Sequence, residues 1–138
     1  MEVERAEHFT TIMSTSTLNF RVTGIDLTGY LVKDTDRALA FYRDVFGLEP
    51  TRLYPDGGGA EYEMSDGATF GLYNPEGEFP FRAGTGVMLA VDDFPAAVSH
   101  AKAHGVPVHM ETETPVCFMA MVEDSEGNHL MIHKRKAV

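Results

Sequence analysis

The sequence predicts an α+β protein built from two tandem βαβββ modules. Three observations lead there. The same strand–helix pattern occurs twice, at a separation of about 58–60 residues. Each helix is followed by three short strand candidates. Each triplet ends with a turn just before its last strand, "SDG" (65–67) in the first half and "DSEGN" (124–128) in the second.

Residues 1–19, Ser/Thr-rich and without periodicity, are expected to form a flexible lead-in to a single domain over 20–138. Module one spans about 21–75. It opens with the β-branched, aliphatic run "RVTGIDLTGYLV" (21–32), a strand candidate. A helix follows in "KDTDRALAFYRDVFGL", where Ala38, Phe41, Tyr42, Val45 and Phe46 make one apolar stripe. Asp34 suits the N-cap, Asp36 the first turn, and Gly47 the left-handed C-terminal position. "EPTRLYP", "AEYEM" and "TFGLY" are the three strands.

A connector over 76–84, dense in Gly and Pro, precedes module two at about 85–135. There "TGVMLAV" (85–91) is the opening strand. "DDFPAAVSHAKAHGV" is the helix, with Phe94, Ala97, Val98 and Ala101 as its stripe and Gly105 as its stop. Asp34 to Gly47 and Asp92 to Gly105 are both 13 positions apart. "VPVHMET", "VCFMAMV" and "HLMIH" complete the module.

Composition narrows the function classes. The net charge of −10 opposes binding to a phosphate backbone, so no nucleic-acid partner is expected. No apolar run approaches the ~20 residues of a membrane helix. The acidic start does not resemble a secretory signal. A cytoplasmic location with no membrane partner follows as the expectation. The single cysteine, Cys117, lies in an apolar run and reads as a buried, inert thiol.

"VKDTDRALAFYRDVFGL", "MLAVDDFPAAVSHAKAHGV" and "MVEDSEGNHLMI" resemble the vicinal oxygen chelate superfamily, the group of glyoxalases, bleomycin-resistance proteins and extradiol dioxygenases. The match runs from about residue 24 to 135. The resemblance implies a mixed sheet curled around a central funnel, a ligand cavity within it, and a homodimer. It also implies a divalent metal held by four His, Gln or Glu side chains, in many members. Those four positions fall here on Leu27, Gly71, Gly86 and Met131. Leucine and glycine offer no lone pair, and a thioether favours soft ions. Neither a metal at these positions nor any other cofactor is expected.

Strand alternation puts His129, Met131 and His133 on one face. With Tyr73 and Met88 they are the candidate contacts for an unidentified small organic molecule in a mostly apolar cavity. Bulky Phe70, Tyr62 or Phe118 could instead fill the funnel. The alternative function is a lyase, isomerase or dioxygenase using His129 and His133, either in acid–base chemistry or to converge on a displaced metal. Glu61 or Glu63 would then supply the carboxylate. His100 and His104, one helical turn apart, read as surface histidines, and His8 and His109 suggest no partner.

Overall fold

The computed structural model describes residues 18–137. Most of the expected lead-in, with His8, lies outside the described residues. The chain runs β1 (Thr28–Leu31), α1 (Thr35–Phe46), β2 (Arg52–Leu53), β3 (Gly59–Glu63), β4 (Thr69–Tyr73), β5 (Val87–Ala90), α2 (Phe94–Ala103), β6 (Val108–Glu113), β7 (Cys117–Glu123) and β8 (His129–Arg135). A short 3₁₀ turn, Pro55–Gly57, joins β2 to β3.

Local chemistry sets the helices. Asp34 accepts from the Arg37 N–H at 3.0 Å, and Gly47 takes φ 69°, closing α1 as its end residues predict. In α2 the cap is Asp93, which accepts from the Ala96 N–H at 3.0 Å; its neighbour Asp92 does not serve. His104 ends α2 and Gly105 follows at φ 72°. The two helices are therefore not equal copies, despite the matched spacing of Asp and Gly.

Each module makes its own four-stranded mixed sheet, ordered β1-β4-β3-β2 and β5-β8-β7-β6. The opening strand pairs in parallel with the closing strand in both. The two sheets do not close on one another. Of the run expected as the first strand, only 28–31 pairs; Val22 and Ile25 are 85% and 87% exposed. The reason lies in the partner. Phe70–Tyr73 of β4 offer four register positions, and no further strand lies alongside 21–27 among the described residues.

One core serves both modules. Tyr42 and Ala38 of α1 pack over Tyr62, Phe70 and Leu72, while Val98 and Ala101 of α2 join Ala120, Val122, Leu130 and Ile132. The Tyr42 and Phe70 rings sit 5.3 Å apart and tilted, an arrangement aromatic pairs favour. Cys117 is buried, as its surroundings predict.

Candidate functional site

Alternation on β8 holds. Leu130 and Ile132 are buried beneath the helices, and His129, Met131 and His133 lie on the opposite, half-open face. Cross-strand register then builds rows that no single strand reveals. Met88, Met131, Met121 and Met110 stand side by side across β5, β8, β7 and β6. The adjacent row is Ala90, His133, Met119 and Thr112. Five of the chain's eight methionines thus share one face of the second sheet, and Met88 is 53% exposed. The bulky residues that could have filled this space are elsewhere. Tyr62 and Phe70 belong to the buried core, and Phe118 stacks on Phe94 of α2 at 5.5 Å.

The first sheet contributes a different surface. A hollow of about 370 Å³ is lined by Leu27, Gly29, Leu31, Tyr54, Gly71 and Tyr73, with Tyr30 and Leu72 behind. Tyr73 donates to Glu78 at 2.7 Å and stacks on Phe79 at 6.1 Å, so one candidate contact is already engaged. That bond to a carboxylate raises the Tyr73 phenol above its ordinary range.

Leu27 and Gly71 face each other across this hollow. A Cβ added to Gly71 would lie 3.3 Å from Leu27 Cδ1, so the leucine occupies space the missing side chain leaves. Gly86 is open on all sides but holds φ 119°, before β5 begins, where any other residue is strained. Met131 lies beside Met88 on the other sheet. This donor set does not fit a hard divalent ion. The glyoxalase-type mechanism therefore gains no support from these four positions.

His129 and His133 do not act together. Four residues apart on a strand, they are separated by about 13 Å, too far to converge on one ion as the alternative requires. Glu61 and Glu63 lie in the first sheet. Glu61 accepts from Arg52 and Tyr54, and Glu63 from Thr69. His129 instead joins two residues that sequence reading missed. Its Nε2 is 3.6 Å from Glu123 Oε1, and His109 Nε2 is 3.0 Å from the same oxygen. The imidazole rings are 5.3 Å apart. The His109 bond holds the Glu123 carboxyl below its ordinary range against a smaller opposing effect of burial. A usable signal for Glu123 existed: with 124–128 as a turn, 123 and 129 must face each other. His100 and His104 lean on backbone, His100 Nε2 lying 2.8 Å from the Asp44 carbonyl and His104 Nδ1 3.0 Å from the His100 carbonyl.

The turn before β8 has a task its counterpart in module one lacks. Glu126, 1% exposed, accepts from the Lys33 and Asp34 N–H groups at 2.7 and 2.9 Å and from Arg37 Nε at 2.8 Å. Asp124 accepts the Tyr42 hydroxyl at 2.6 Å, and Asn128 donates to the Leu31 carbonyl at 2.9 Å. From the other side Tyr30 donates to the His129 carbonyl at 2.6 Å and accepts the Val87 N–H at 2.9 Å. Module two thereby caps the first helix of module one. Residues 65–67, the matching turn, are exposed.

Paired βαβββ modules with one shared core define the class of protein. The Glyoxalase/Bleomycin resistance protein/Dioxygenase superfamily model matches residues 24–132, and the chain belongs to that superfamily. No curated protein matches it in sequence. Among solved structures it is similar to a lactoylglutathione lyase from Agrobacterium tumefaciens, at 23% identity and a TM-score of 0.67 over 82% of this chain and 94% of that one. It is also similar to TnmS3, an antibiotic binding protein from Streptomyces sp. CB03234, at 21% identity and a TM-score of 0.69 over 86% and 100%. A glyoxalase / bleomycin resistance protein from Catenulispora acidiphila is 24% identical, with a TM-score of 0.61 over 80% and 98%. At these identities the likeness concerns the fold.

Proposed function

We propose that the protein binds a small, largely apolar organic molecule on the methionine face, without a metal at Leu27, Gly71, Gly86 and Met131. The row Met88–Met131–Met121–Met110 carries this reading. A folded domain rarely leaves adjacent apolar side chains half open, and thioethers adapt their shape to varied partners. The net charge of −10 favours a ligand with a cationic group through long-range steering. The antibiotic-binding structure is compatible with such a role. In the lyase, isomerase or dioxygenase reading, a metal shared by His129 and His133 is opposed by their separation of about 13 Å.

A cytoplasmic homodimer belongs to the same proposal. No helix among the described residues is long and apolar enough to cross a membrane. Support for a second copy comes from the exposed Val22, Ile25 and Leu27, and from a hollow of about 510 Å³ along the edge strand β5.

Methionine-methyl NMR tests the ligand site. A cationic fused-ring aromatic such as ethidium is titrated into protein labelled at its methionine methyls. The expected result is shifts at Met88, Met110, Met119, Met121 and Met131 with Met64 unmoved. Met131→Lys should weaken binding at least about tenfold, because an ammonium group interrupts the apolar row and repels the cationic probe. Shifts confined to Met64, or none across a panel of such compounds, refute the assignment.

A further inference from the structure

We infer that His109, Glu123 and His129 form a site for a zinc-like divalent transition-metal ion at one end of the methionine face. Their three donor atoms lie within 4.8 Å of one another. A tetrahedral ion bonded at about 2.0–2.1 Å needs its donors about 3.3 Å apart. The two distances to Glu123, 3.0 and 3.6 Å, bracket that value, and the two imidazole donors lie within 4.8 Å of each other, so side-chain rotations can close the set around one ion. Two imidazoles and a carboxylate are a donor set suited to zinc and its first-row neighbours, and they leave a fourth position for water or a ligand.

The backbone brings these groups together for a specific reason. Glu123 and His129 are direct register partners on β7 and β8. His109 comes from β6, where Val108 pairs with Val122 and Met110 with Met121. One residue too many therefore stands on β6 between those pairs, and it is His109. A bulge of this kind re-aims the extra side chain, here towards Glu123. All three ligands rise from strands, which hold geometry better than loops do. The site uses none of Leu27, Gly71, Gly86 or Met131, and it does not rest on the ligand reading above. An organic ligand could bind the methionines whether or not an ion is present.

Titration calorimetry of chelator-treated full chain with zinc chloride tests the inference. One equivalent is expected to bind with a Kd of about 10 µM or tighter, about −7 kcal/mol. His109→Ala, His129→Ala and Glu123→Gln should each weaken binding at least about tenfold. His133→Ala and His100→Ala should leave it within about twofold, separating this site from the other histidines. Cobalt(II) absorption gives a second readout, with visible bands in the parent that vanish in His109→Ala. Thermal melts confirm that each variant is folded. Parent protein binding no zinc below about 1 mM, or His109→Ala and His129→Ala binding it as tightly as the parent, overturns the inference.

Discussion

Glu126→Gln removes a charge from the junction between the modules while preserving its shape. Burial alone would raise this carboxyl. Bonds from Arg37, the Asp34 N–H, Ser125 and the Lys33 N–H outweigh burial and bring it down to about 2. Against 4.5 for a free glutamate, that difference corresponds to about 3 kcal/mol of stabilisation at about 1.4 kcal/mol per pH unit. Arg37 is half exposed, so solvent screening reduces the figure to about 2 kcal/mol. The glutamine oxygen can still accept from both N–H groups, but an amide nitrogen takes the place of the oxygen that accepts from Arg37 Nε and the Ser125 hydroxyl, so those bonds go with the charge. For a domain of this size the melting temperature should fall by roughly 6–12 °C at pH 6.

The acid dependence has a definite sign. A carboxyl depressed in the folded state stabilises fully above its unfolded value and loses that contribution as pH falls towards its folded one. The gap between parent and Glu126→Gln should therefore be constant above about pH 5 and close between about 4.5 and 2. Circular-dichroism melts of both proteins over pH 2–7 measure it, with the other carboxylates cancelling in the difference. A gap below about 0.5 kcal/mol at pH 6, or one that does not narrow in acid, refutes the reasoning.

Two buried tyrosines should respond oppositely to loss of their hydroxyls. Tyr42→Phe leaves Asp124 Oδ2 with the Asn128 amide alone and should cost about 1–3 kcal/mol, while the Tyr62 hydroxyl has no partner among the described residues and Tyr62→Phe should be neutral or slightly stabilising. Urea unfolding of both distinguishes them, and equal losses contradict the assignment. Gly29→Ala would place a Cβ 1.8 Å from the Gly71 carbonyl oxygen and should lower the melting temperature by more than about 10 °C or prevent folding. Gly71→Ala is crowded by the end of the Leu27 side chain, with the Ala60 carbonyl at an ordinary 3.8 Å, and should cost under about 1.5 kcal/mol; a larger loss there would mean the leucine cannot move. Asp34→Ala removes the α1 cap and should cost about 1 kcal/mol by the same melts, no change meaning that the Glu126 bonds suffice without it.

Patterning that depends on neighbours along the chain was legible from residues alone. The stripe on α1, its caps at Asp34 and Gly47, the repeated module and the alternation of β8 each follow from local periodicity and backbone preference. Pairing across strands was not legible. The methionine row spans four strands, β1 begins only where β4 supplies register partners, and His109, itself the unpaired residue on β6, reaches Glu123. Glu126 bonds residues about ninety positions away in the other module. Register and bulges are settled by which backbone groups find partners when the sheet assembles, and a linear pattern of apolar and polar residues leaves that choice open.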